Sequence, residues 1–105
     1  MRIPGRTRQL LDQLTGIVIS LQEETHDFLD QGDEQQLWYN RGYANGIVAA
    51  LDDLGYSEYI DSRINRDPDD LISGHDALPW GKAYHHGLEM GEKETREVIG
   101  PAPSH

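Results

Sequence analysis

The densest set of residues with chemical potential in this chain is the run Glu23-Glu24-Thr25-His26-Asp27. Glu23 and His26 stand three apart, which puts both on one face of a helix, and carboxylate-bridged di-iron bundles use this Glu-x-x-His spacing. Such a centre also needs a second Glu-x-x-His on a facing helix and further glutamates, and no second copy occurs. The run therefore reads as the exposed acidic end of a helix. His85-His86 is the other conspicuous group, but adjacent residues point to different faces. Only His85 and Glu89, four apart, could reach one metal ion, and no third ligand follows from the spacing. Polar contact with a partner, alongside Lys82 and Tyr84, is the expectation there, with no metal or cofactor.

Two acid pairs, Glu24-x-x-Asp27 and Glu58-x-x-Asp61, offer a different chemistry. A hard cation such as Mg²⁺ takes carboxylates together with phosphate oxygens. In size, helical class and these pairs the chain resembles small all-α nucleotide pyrophosphohydrolases, which hold magnesium between Glu/Asp pairs on facing helices. That resemblance implies metal ligation by Glu24, Asp27, Glu58 and Asp61, and hydrolysis of a nucleotide. It stops at the acid pairs, because the family's Glu-Glu-x-x-Glu followed by a Glu-x-x-Asp helix is not cleanly matched. No phosphate-cradling glycine loop, nucleophile elbow or Ser-His-Asp arrangement occurs either. With no cysteine, disulfides and thiolate metal sites are excluded.

Binding chemistry concentrates elsewhere, in Trp38, Tyr39, Asn40, Arg41, Tyr43 and Asn45. Aromatics and arginine dominate binding hot spots. Arg41 is the sole basic residue between Arg8 and Arg63. Its isolation points to one specific pairing, with a carboxylate of the fold or with an anionic ligand.

The elements that must position these residues are helices. Leu10, Leu14, Ile17, Leu21 and Phe28 recur at alternating four- and three-residue steps, broken only where Glu24 takes an expected apolar place, predicting a helix over 7–31 that stops at Gly32. Asp33 and Gln36 resemble a capping box opening a second helix over 34–54, which ends at Gly55. Its stripe is Tyr39, Tyr43, Gly46/Ile47, Ala50 and Leu54. A short helix at 57–64 and a turn from Asp67-Pro68 lie in the 56–78 connection, followed by a loop at Ser73-Gly74-His75-Asp76. Pro79 opens a third long helix to residue 99, apolar along Trp80, Tyr84, Leu88, Gly91 and Val98. No segment alternates as a strand does. The expected fold is all-α: a bundle of three main helices in one domain, 1–100, with a disordered tail at 101–105.

Two segments share a pattern of basic, small, tyrosine, two variable residues, glycine, aliphatic: Arg41–Ile47 and Lys82–Leu88. Duplication would account for this single match at an offset of 41. Glycine is costly inside a helix, so its repetition signals close approach of another backbone. Gly42 and Gly46 in one helix, and Ala83, Gly87 and Gly91 in the other, make smooth seams at four-residue spacing. The seams are expected to join these two helices to each other or to copies in a homo-oligomer. The bordering aromatics, with Arg41 or Lys82, could then form a cleft for a nucleotide-like ligand.

The net charge is -10, from 19 acidic and 9 basic residues. Residues 9–40 carry seven acids and no base. This balance argues against direct nucleic-acid binding and favours a protein partner with a basic surface. No apolar signal core follows the basic start, and no run reaches membrane-spanning length, so a cytoplasmic location is expected. In size, acidity and lack of a catalytic signature the chain is similar in type to small phage-encoded accessory proteins. The functional expectation is a small non-enzymatic interaction protein that binds and inhibits a host macromolecule, in which carboxylates stand in for phosphates. A nucleotide-binding oligomer is the alternative, and a magnesium-dependent pyrophosphohydrolase the third reading.

Overall fold

Four helices account for nearly all the described residues of the computed structural model, which are 5–25, 35–64, 67 and 77–99. They are α1 (Gly5–Glu24), α2 (Gln35–Asp53), α3 (Ser57–Asp61) and α4 (Pro79–Ile99), and no strand occurs among the described residues. The chain is all-α, as its periodicity predicts. The expected continuation of the first helix through Phe28 to residue 31, the stop at Gly32 and the cap at Asp33 lie outside the described residues. So do the turn after Asp67, the loop at 73–76 and the tail at 101–105.

α2 is the central helix, buried on two sides. One side packs on α1 through a core of Leu11, Leu14 and Val18 against Ala44, Ile47, Val48 and Leu51, closed at one end by Ile60 of α3. The other side packs on α4 in the most extensive pairing of the fold. α1 runs antiparallel to α2. Its C-terminal residues Gln22 and Thr25 meet Arg41, whereas Asp12, nearer its start, accepts a hydrogen bond from Tyr59 of α3.

The buried face of α1 is not the one its leucines suggest. Leu11, Leu14, Thr15 and Val18 point inward, Leu10 and Leu21 are half-buried, and Ile17 is 44% exposed. The true face is turned by about 80° from the Leu10–Leu14–Ile17–Leu21 stripe, at 100° per residue. The cause is that Thr15 and Thr25 can be buried in a helix. Each hydroxyl donates back to the carbonyl four residues earlier, Leu11 and Leu21, and so needs no other partner.

α2 ends where Gly55 takes a positive φ of 93°. The Gly55 amide donates to the Asp52 carbonyl and the Tyr56 amide to that of Leu51, the paired bonds of a Schellman stop. Tyr56 then packs on the core that contains Leu51, the hydrophobic contact that accompanies this motif.

Between α2 and α4 the glycine seams interlock within one chain. A Cβ on Gly42 would fall on the Tyr84 carbonyl oxygen, and one on Gly46 on that of Leu88. Reciprocally, a Cβ on Gly87 would fall on the Tyr39 carbonyl and one on Gly91 on that of Tyr43. As α2 advances from 42 to 46, its contacts on α4 advance too, so the two helices run parallel. The reciprocity relates residue i of α2 to residue i + 45 of α4: Tyr39 to Tyr84, Gly42 to Gly87, Gly46 to Gly91. Both helices thus carry Tyr-x-x-Gly-x-x-x-Gly, one helical turn out of step with the offset of 41 suggested by the seven-residue match.

Candidate functional site

The ten residues expected to bind a ligand or partner separate into an interior group and a surface group. Trp38 is buried, its ring tilted over Trp80 at 4.3 Å between centroids and edge-on to Tyr84 at 6.1 Å. It therefore belongs to the core between α2 and α4 and offers no stacking face to a ligand. Arg41 is also interior, at 9% exposure. Its guanidinium grips the Asp67 carboxylate with two bonds, Nε to Oδ2 at 2.7 Å and Nη2 to Oδ1 at 2.8 Å. Nη1 donates to the Gln22 carbonyl and the Thr25 hydroxyl, both at 3.2 Å. Of the two pairings its isolation suggested, the fold supplies the carboxylate.

Asn45 and Tyr84 complete this network. The Asn45 amide donates to Asp67 Oδ2 at 2.9 Å and to the Tyr84 hydroxyl at 2.8 Å. Residues of α1, α2, α4 and the chain beyond α3 are thereby tied around one charge pair. Burial pushes the Asp67 carboxyl up, but the hydrogen bonds from Arg41 and Asn45 and the guanidinium charge outweigh it and hold the group below its ordinary value. Arg41, Asn45 and Tyr84 are thus structural, and sequence reasoning missed Asp67, Gln22 and Thr25 as their partners. The only signal available was the lone arginine itself.

Tyr43 lies across the α2–α4 interface and donates to Glu94 at 2.8 Å. Partial burial, then the bond to Glu94 and that carboxylate's charge, push its phenol up to about 12. Asn40 accepts a hydrogen bond from Gln36 one turn earlier, at 2.9 Å. His85 is exposed beside the Tyr84 ring.

The remaining residues do come together. Because α2 and α4 run parallel, their first turns lie side by side, and between them opens a groove of about 500 Å³. Gln35, Gln36 and Tyr39 line it from α2, and Pro79, Lys82, Ala83 and His86 from α4. The His86 ring stands edge-on to Tyr39 at 5.5 Å. The groove carries one formal positive charge, that of Lys82, together with the partial positive charge of two helix starts. Its volume lies within the range of small-molecule sites.

Among the described residues, the members of the two acid pairs stand apart. Glu24 ends α1 near the Arg41 level, whereas Glu58 and Asp61 sit on α3 at the Asp12 level, about 18 Å away by helical rise. Asp27 and His26 lie outside the described residues. Among the described residues no group of three His, Asp or Glu side chains could hold a metal ion, and no helix is long and apolar enough to cross a membrane. No protein-family model matches the chain, and neither the curated proteins nor the solved structures contain a significant match to it.

Proposed function

We propose that this chain works by binding: it presents an acidic surface to a macromolecule whose own surface is basic and covers it, as a charge mimic would. The observation that carries this reading is the burial of Arg41 against Asp67. Residues 9–62 contain eleven acids and, apart from Arg41, no lysine or arginine. With that cation turned inward, the exposed charged side chains among the described residues of this stretch are all acidic, and Glu58 and Asp61 stand exposed on α3 beside the end of α2. A cytoplasmic setting suits a chain without cysteine. The separation of Glu24 from Glu58 and Asp61 weighs against the hydrolase reading.

A second reading places a nucleotide-like ligand in the groove between the first turns of α2 and α4. Lys82 would meet a phosphate and Tyr39 would lie beside the base. Its support is the groove itself and the placing of Tyr39, Lys82 and His86 around it.

One titration series separates the two. A Lys/Arg-rich peptide should bind saturably and weaken about tenfold or more from low to physiological salt. Glu58→Gln with Asp61→Asn should weaken that binding, while Glu89→Gln with Glu97→Gln on α4 should leave it intact. Equal losses from both pairs would mean bulk charge attraction and no recognised face. Thermal stabilisation by a nucleoside triphosphate, abolished by Lys82→Ala, would move the conclusion to the groove.

A further inference from the structure

The outward face of α1 is unlike the rest of this acidic surface. Residues 13–22, Gln-Leu-Thr-Gly-Ile-Val-Ile-Ser-Leu-Gln, hold no charge, in a chain of which 27% is charged. At 100° per residue Gly16 falls on the outward face, with Gln9, Asp12, Gln13, Ser20 and Glu23 within about 60° of it. A Cβ on Gly16 would meet nothing within 4 Å. Ile17 and Ile19 border this strip, 44% and 36% exposed. Charge lies on either side of that run: Arg6, Arg8 and Asp12 before it and Glu23 and Glu24 after it, all exposed, with Asp12 held by the Tyr59 hydroxyl.

We infer that this face of α1 is a self-complementary interface, and that its occupant is α1 of a second copy of the chain, running antiparallel about a two-fold axis beside Gly16. Under that axis residue i of one copy lies opposite residue 31 − i of the other, as an isologous contact requires. Arg8 then stands level with Glu23 of the other copy, and Arg6 within one residue of Glu24. Each charge match occurs twice. A parallel pairing would instead set arginines against arginines and glutamates against glutamates. At the centre, Gly16 and Ser20 let the helix axes approach, and the two Ile17 side chains, three residues apart along the axis, cover each other. The homo-oligomer expected of the Gly42/Gly46 and Gly87/Gly91 seams thus moves to another helix, since those seams are filled within the chain. This inference does not depend on the acidic-surface reading, which is carried by the burial of Arg41 and tested on α3.

Sedimentation velocity at physiological salt tests it directly. The intact chain should move, with rising concentration, from 11.9 kDa toward twice that mass. Gly16→Arg should hold the mass at one chain while the helical circular dichroism and melting temperature are kept, because the added side chain enters open space. Ile17→Glu should do the same. Arg6→Glu with Arg8→Glu, and separately Glu23→Arg with Glu24→Arg, should each give monomers that form a one-to-one dimer when mixed. A single-chain mass at every concentration up to millimolar overturns the inference. So does a dimer that survives Gly16→Arg.

Discussion

Asp67 shows how far one residue can organise a fold this small. Its carboxylate accepts both forks of the Arg41 guanidinium and an Asn45 amide proton, and without it the buried guanidinium would lose its two shortest bonds and that carboxylate's charge. Removing one partner of a buried ion pair typically costs about 3–5 kcal/mol. Asp67→Asn should therefore lower stability at neutral pH by about 3 kcal/mol in urea melts. The acid response follows from the direction of the shift. A carboxyl held below its ordinary value when folded contributes stability above the unfolded value, about 4, and loses it as pH falls through the folded value. The intact protein should lose stability steeply below about pH 4, and Asp67→Asn should show a smaller loss over the same range. If the two acid limbs run parallel, the Asp67 carboxylate is not what the network is built around.

At the scale of the element, the glycines of α2 and α4 and the glycine of α1 make opposite demands. Gly46 faces the Leu88 carbonyl, a backbone group that cannot swing aside, while Gly16 faces open space. Gly46→Ala should cost about 2–4 kcal/mol as the helices are forced apart, despite the gain in helix propensity. Gly16→Ala, with nothing to clash against, should raise monomer stability by up to about 1 kcal/mol. Paired denaturant melts check both signs, and a tolerated Gly46→Ala would contradict the interlocked seam. The helices themselves were legible because glycine and proline mark their limits: Gly55 ends α2 and Pro79 opens α4. The seam was legible as four-residue spacing, but its register was not, since the match around Arg41 and Lys82 includes side chains that take no part in the contact. The inward face of α1 was misread for a related reason. Thr15 and Thr25 look polar in sequence, and only their bonds to Leu11 and Leu21 make them fit for a core. The candidate site was the least legible part. Trp38 and Arg41 have the composition of a binding surface, and the partners that draw them inward, Trp80 and Asp67, lie 42 and 26 residues further along the chain.

For the whole molecule, a charge of -10 on 105 residues is a standing electrostatic load. Many like charges lie within a few Debye lengths of one another, and their repulsion favours the expanded chain. Opposite-charge contacts work against it, among them, in the described residues, the buried Arg41–Asp67 pair and the exposed Arg96–Asp53 pair at 2.6 Å. Salt acts on these terms unequally. Raising it from about 10 mM to about 150 mM shortens the Debye length from about 30 Å to about 8 Å, which removes most long-range repulsion, reduces the exposed pair and leaves the buried one nearly intact. The melting temperature should therefore rise with added sodium chloride, the reverse of what a protein held together by surface ion pairs would show. The same scan separates folding from self-association. Gly16→Arg, prevented from pairing through α1, should keep the salt-dependent rise and lose any dependence of melting on protein concentration, because only the paired form is favoured by mass action. If instead the salt response disappeared with Gly16→Arg, the load would be borne by the α1–α1 contact and not by the monomer.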